Sequence, residues 1–309
     1  MAEKKEFYFQ SSDGLHKVHG ILWRPDDGHV KGVIQIVHGM AEYIGRYEEF
    51  AEFICARGYA VVGEDHLGHG ASVNDPSEYG YFGKKNGMNF IIRDNAKLMR
   101  HMMKKYDGCP YFLLGHSMGS FITRMLITKY SGCLSGAIIM GTGGQTRLEA
   151  AAGKMLTYIT AAFKGWKFRS RLIHQIAFGA FNRKFEPART KMDWLTKDTM
   201  IVDKYLEDEK CTFMFTVSGY RDLFGLILHI SRRDAVRKIR KDLPILIVSG
   251  ADDPVGGFGK GVGRVCDQYR AEGLCNVQMK LYEHDRHEIL NETDRKQVSE
   301  DLLNWIIQA

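Results

Sequence analysis

Short apolar runs alternate along this chain with longer stretches in which apolar positions recur every three or four residues. The runs at 33–37, 60–63, 111–114, 137–140, 245–249 and 277–282 are mostly β-branched or apolar, which predicts strands buried in a sheet. Ahead of them, 7–9 and 18–23 flank Ser12-Asp13-Gly14 and predict an opening antiparallel hairpin. Helical periodicity covers 47–56, 90–105, 120–130, 263–271 and 295–307. Strands and helices in this alternation predict an α/β fold with a mostly parallel central sheet covered by helices on both faces. Loops at the carboxyl ends of such strands are where chemistry is expected.

The alternation lapses once. From about 144 to 238 no strand pattern stands out, and helical pieces at 155–159, 172–181 and 220–230 are rich in Phe, Trp, Met, Lys and Arg. The stretch follows Gly141-Thr142-Gly143-Gly144, a glycine-rich hinge at a strand end. The expectation is a core of 1–143 and 239–309 interrupted by a helical cap, 144–238. Such a cap roofs the loops at the strand ends, excludes water and shapes a pocket. An enlarged core is the plain alternative.

Composition narrows the class. With 309 residues and 44% hydrophobic content, the chain supports one large domain or a core with an insertion. The first six residues are charged and polar, and Phe7-Tyr8-Phe9 is too short for a signal peptide, so none is expected. No run reaches the length of a membrane span. Six cysteines lie scattered without a C-x-x-C pair, which points to reduced thiols and a cytoplasmic protein. The net charge of +6 comes from Lys and Arg interleaved with acids, so nucleic acid is not implied. Residues 164–171 place Trp166 and Phe168 among basic residues; they offer a transient contact to an anionic membrane surface, or form a solvated face of the cap.

The chemistry centres on Gly115-His116-Ser117-Met118-Gly119, a complete G-x-S-x-G between a predicted strand and a predicted helix. In that context it is a nucleophile elbow, with Gly115 and Gly119 where side chains would collide and Ser117 projecting into open space. The Met118 N–H then sits in the first helical turn, a free donor for an oxyanion. A serine hydroxyl also needs a base and a carboxylate that orients it, in the chain order serine, acid, histidine. Asp253, in the loop after the 245–249 strand, is the chosen acid; Asp252 competes with it, and both together would suit a simple turn. His287, between the last strand and the last helix, is the chosen base, with His284 as its rival. The loop after the 33–37 strand offers the Met40 N–H as a second oxyanion donor.

Neighbouring motifs have plainer readings. His38 braces its loop, and Glu42 and Arg46, four apart, suit a helical ion pair near the site. His66 and His69 beside Asp65 lack a matched ligand cluster, so they fix a turn and no metal is expected. Gly256-Gly257-Phe258-Gly259-Lys260-Gly261 lacks the Ser or Thr of a phosphate loop, and nucleotide binding is rejected.

Taken together, His38-Gly39-Met40-Ala41-Glu42, Gly45-Arg46-Tyr47, the 65–72 run Asp-His-Leu-Gly-His-Gly-Ala-Ser, the Ser117 elbow, Gly250-x-x-Asp253 and Arg286-His287-Glu288 resemble one group closely. They are similar to α/β-hydrolases of the monoacylglycerol lipase, lysophospholipase and serine aminopeptidase-like group, over nearly the whole chain. The 181–198 segment looks most like bacterial lysophospholipase-type members. The resemblance implies a triad of Ser117, Asp253 and His287, oxyanion amides at Met40 and Met118, and a helical cap. Met40 departs from the small residue common in that loop, which alters access but keeps the amide. The expected activity is a cofactor-free, metal-independent serine esterase or lipase on a monoacyl lipid such as a monoacylglycerol or lysophospholipid. An amidase or aminopeptidase, a general carboxylesterase, or a non-catalytic ligand-binding relative are the other readings.

Overall fold

The computed structural model describes residues 2–309. Eight strands form one sheet: β1 (Ala2–Gln10), β2 (Lys17–Pro25), β3 (Val33–Val37), β4 (Ala60–Glu64), β5 (Tyr111–His116), β6 (Gly136–Met140), β7 (Ile245–Gly250) and β8 (Val277–Tyr282). Their spatial order is β1-β2-β4-β3-β5-β6-β7-β8. β1 and β2 pair antiparallel, β2 joins β4 antiparallel, and all further neighbours are parallel. This is the mostly parallel sheet expected from the alternation, in the α/β-hydrolase architecture that the resemblance implies.

The parallel strands read as continuous apolar runs because both their faces are covered. Val33, Val37, Leu113, Ile139 and Ile247 point into one core. It is completed by α2 (Gly87–Lys105), α3 (Met118–Tyr130) and α9 (Lys260–Ala271) through Met99, Ile122, Leu126 and Tyr269. Ile34, Ile36, Leu114, Ile138 and Val248 point the other way, onto Phe50 and Ile54 of α1 (Glu48–Cys55) and Leu302 and Ile306 of α10 (Arg295–Gln308). Successive residues therefore serve opposite layers, as the pleat demands.

The opening hairpin is longer than its apolar pattern. Glu3, Lys4 and Lys5 lie on the exposed edge strand, where Arg24 grips Glu3 at 2.7–2.9 Å and Lys4 reaches Glu48 at 2.7 Å. An edge strand needs no buried alternation and tolerates lysine, so polarity hid it.

Between β6 and β7 the chain forms α4 (Arg147–Lys164), α5 (Arg171–Phe178), α6 (Thr199–Glu207), α7 (Val217–Ile230) and the one-turn α8 (Arg233–Val236). No strand occurs in this stretch. Thr146 starts α4 with a capping box, its hydroxyl on the Glu149 N–H and the Glu149 carboxylate on its own N–H. α7 is sunk into the first core through Tyr220, Leu223, Leu226 and Ile227, and α4 lies along it. Gly144 packs backbone to backbone on Gly261, leaving no space for a Cβ, which accounts for two of the glycines in the 256–261 run and the hinge.

Candidate active site

The sheet's carboxyl edge brings the motif residues together. Strand β5 ends at His116 and α3 begins at Met118, so Ser117 alone makes the turn, at φ 52° and ψ −119°. A non-glycine residue at positive φ is strained and is held there only by its surroundings. Ser117 N–H donates to the Met140 carbonyl at 3.0 Å, pinning the turn to β6. A Cβ on Gly115 would strike Thr123 and Gly119, and one on Gly119 would strike the Val37 and His38 carbonyls. Both glycines are thus required by contact.

The loop after β3 closes over the elbow. A Cβ on Gly39 would come 3.0 Å from the Ser117 Cβ, which shows how closely this loop approaches the serine. The next residue, Met40, has an N–H with no protein acceptor among the described residues. Met118 is the first residue of α3, where an N–H has no intrahelical acceptor.

Asp253 and His287 meet from separate loops. His287 Nδ1 is 3.0 Å from each Asp253 carboxylate oxygen, and both residues are buried. Asp253 also accepts from Ser249 Oγ and the Val255 N–H, each at 2.8 Å. Burial disfavours its charge, but His287 and these hydrogen bonds outweigh it and hold the carboxyl below the usual range. Asp252 turns away to Lys184 Nζ at 2.5 Å. His284 sits exposed in the preceding turn at φ 62°, apart from this cluster.

Ser117, Met40 and His287 all line one cavity of about 1050 Å³. Its opposite wall comes from the β6–β7 segment, including Phe178, Trp194, Leu195 and Phe213. The Trp194 ring lies 5.2 Å from the His287 ring and 5.0 Å from that of Phe181.

Beneath this surface lies a polar network that the sequence reading missed. Glu42 accepts from the Gly39 N–H, from His116 Nδ1 at 2.8 Å and from Tyr47 Oη at 3.1 Å. Arg46 touches Glu42 only at 3.4 Å and makes its strong bonds, 2.8 and 2.7 Å, to Glu288. The expected Glu42–Arg46 ion pair forms, at 3.4 Å, but its helical setting is corrected: the one-turn helix Ile44–Tyr47 starts after Glu42, and Arg46 bridges chiefly to the histidine loop. Spacing reports only local partners; Glu288 lies 242 positions away. His116 completes the link, with Nε2 3.3 Å from the His287 carbonyl. Both its nitrogens face acceptors, which suits the imidazolium. Burial opposes that charge, but the Glu42 carboxylate outweighs it and raises the His116 pKa.

The other histidines are braces. His38 Nε2 accepts the His66 N–H at 2.9 Å, its Nδ1 meets the Gly39 carbonyl at 2.8 Å, and the two rings stack at 3.9 Å. Burial holds His66 neutral and pushes His69 down to about 3. Asp65 accepts from His19 and from the Ile44 and Ala71 N–H groups, each at 2.8 Å.

Residues 28–294 match the sequence family described as Serine aminopeptidase, S33. The chain belongs to this family. Within it, similar relatives are the monoacylglycerol lipase of Mycolicibacterium smegmatis, 26% identical with 98% of this chain and 97% of that one covered, and the monoglyceride lipase homolog of Monkeypox virus, 26% identical over 92% of each. A solved carboxyl esterase from Bacillus coagulans, in complex with glycerol, shares 28% identity and superposes with a TM-score of 0.91 over 100% of this chain and 99% of that one. A soluble variant of monoglyceride lipase from Saccharomyces cerevisiae shares the fold, at 20% identity and a TM-score of 0.77 over 97% and 93% of the two chains. No helix among the described residues is long and apolar enough to cross a membrane.

Proposed function

We propose that this S33-family protein hydrolyses carboxylic esters of monoacyl lipids through an acyl-enzyme on Ser117. The observation that carries the reading is the conjunction of a strained, cavity-facing Ser117 with a buried Asp253–His287 pair 3.0 Å apart, at a cavity whose lining includes Phe178, Trp194, Leu195 and Phe213. The lipase and esterase relatives support the ester class.

In this mechanism His287 takes the Ser117 proton as the hydroxyl attacks the acyl carbonyl. Asp253 holds the ring with Nδ1–H toward itself and stabilises the imidazolium that forms. The Met40 and Met118 N–H groups receive the developing oxyanion. His287 then protonates the leaving alcohol and activates water to release the fatty acid. An aminopeptidase would need a free carboxylate for the substrate amine; Glu42 and Glu288 are satisfied by His116 and Arg46, which leaves the exposed Glu186 as the carboxylate of the cavity lining that an amine could reach, and the arylamide arm of the assay below tests it.

The segment 144–238 acts as the cap. Leu148, Met155, Ile159 and Phe163 of α4 and Leu172 and Ile176 of α5 are exposed apolar side chains on it. They suit a transient seat on a lipid surface, better than 164–171 does. In that stretch the Trp166 ring is covered by Arg221 at 4.7 Å, and Arg169 bonds back to the Ser77 carbonyl at 2.9 Å. Six unpaired cysteines fit work in a reducing cytoplasm.

Purified protein assayed on monoacylglycerols, lysophospholipids and aminoacyl arylamides tests the reading. The expected result is ester turnover that Ser117→Ala abolishes with the fold intact. Wild-type-like turnover in that variant, or preference for the arylamides, overturns it.

A further inference from the structure

A buried cation without a carboxylate lies under the start of α4. Arg124, on α3, is 3% exposed. Its guanidinium makes two long hydrogen bonds, Nη1 to Thr142 Oγ1 at 3.4 Å and to the Gly143 carbonyl at 3.3 Å, and lies 5.9 Å from the centre of the Tyr269 ring, while Nε is buried with no hydrogen-bond partner. Among the described residues it forms no ion pair. The other buried guanidiniums are paired, Arg46 with Glu288 and Arg221 with Asp222, each at 2.7 Å. Burying an unpaired charge is costly, so such a group is ordinarily matched by an opposite charge.

Arg124 lines a cavity of about 260 Å³ together with Arg147, Arg264 and Gln145. Three guanidiniums converge there, and no Asp or Glu is among the lining residues. The amino end of the 18-residue α4 borders the same space, its positive dipole end partly offset by the Glu149 carboxylate that caps the Thr146 N–H. Arg264 Nη2 bonds the Gly144 carbonyl at 2.9 Å, which anchors that side chain at the rim. Gln145 Oε1 is buried and unpartnered, an acceptor waiting for a donor. An amide that can turn to accept or donate, beside three cations, matches a phosphate group in either of its ionised forms. Ile227, Ile230 and Val265 form an apolar wall with room for a short carbon skeleton.

We infer that this cavity binds a small phosphate-bearing anion, at a site distinct from the Ser117 cavity, with which it shares no lining residue. Inorganic phosphate and glycerol 3-phosphate both present the required group. An occupant would tie α3 and α9 to Gly143 and Gly144, where the chain leaves the sheet for α4.

Calorimetric titration of the full chain with each compound, at matched ionic strength in chloride, tests this. Saturable one-site binding with Kd of about 1 mM or tighter is expected. The Arg147→Gln/Arg264→Gln variant, altered only at exposed positions, should bind at least tenfold more weakly. Arg124→Met should lose binding and the phosphate-dependent rise in melting temperature expected of the wild type; should it fail to fold, the double variant decides alone. Tighter binding of glycerol 3-phosphate would assign the apolar wall to its carbon skeleton, and equal affinities would assign the site to the ion; either supports the inference. No saturable heat, or unchanged affinity in the double variant, overturns it.

Discussion

Arg46 holds Glu288 through two parallel hydrogen bonds of 2.8 and 2.7 Å, joining the loop after β3 to the loop that carries His287. The Arg46 side chain is 11% exposed and that of Glu288 5%. Loss of one partner strands the other charge, at a cost of about 3–5 kcal/mol. Arg46→Met should destabilise by about that amount in urea unfolding, and Arg46→Met/Glu288→Met should recover more than half of it. Equal stability of the single variant and wild type would show that the bridge carries no structural weight.

The two neighbouring aspartates separate by orientation. Asp253 faces His287 at 3.0 Å, whereas Asp252 meets the exposed Lys184. In a serine triad an Asp→Asn change presents the wrong tautomer to the serine and lowers kcat by about 10⁴. Asp253→Asn should therefore lose roughly 10³–10⁴-fold in p-nitrophenyl ester turnover, and Asp252→Asn less than about threefold, since exposed pairs contribute little. Comparable losses in both variants would contradict the assignment.

Much of this arrangement was legible because local geometry writes it into the chain. The Ser117 elbow needs Gly115 and Gly119 for steric reasons that act within a few residues, and the order serine, acid, histidine follows strand order in the sheet. Alternation of successive residues implies that Asp252 and Asp253 face opposite ways, without saying which meets His287; the resemblance through Gly250-x-x-Asp253 favours Asp253. The Glu42–His116–Arg46–Glu288 network was not legible, since its partners are distant in sequence and met only when the loops had folded. His116 lay inside the most conspicuous motif of the chain and drew no reading, because x positions of a motif carry no constraint of their own. β1 was underread for the opposite reason: its charges are allowed by an exposed edge.

The His116–Glu42 contact should mark the pH dependence of stability. His116 has a folded pKa raised by Glu42, so its contribution is complete below the unfolded imidazole value of about 6.5 and is lost as pH rises through the folded value. Glu42, despite burial, is held below its ordinary value by His116 and Arg46, and keeps its charge across that range. The stability difference between wild type and His116→Asn should be largest near pH 6 and shrink toward pH 9. Urea unfolding of both proteins at the two pH values measures it; a difference constant with pH would mean that His116 acts as a neutral ring.

Trp194 is the side chain of the β6–β7 segment whose ring stands 5.2 Å from that of His287, and it lines the Ser117 cavity beside Phe178 and Leu195. In the proposed reaction its ring would supply apolar contact that grows with the length of the acyl chain. Removing such a surface forfeits about 1.5–3 kcal/mol of burial, or roughly 10- to 150-fold in kcat/KM when the substrate fills it. Trp194→Ala should accordingly depress kcat/KM for long-chain monoacyl esters by more than tenfold and for p-nitrophenyl acetate by less than about threefold, because acetate does not reach the ring. A loss equal for both substrates would move Trp194 from the acyl pocket to the positioning of His287, and melting temperatures of the variant and wild type would show whether stability contributes.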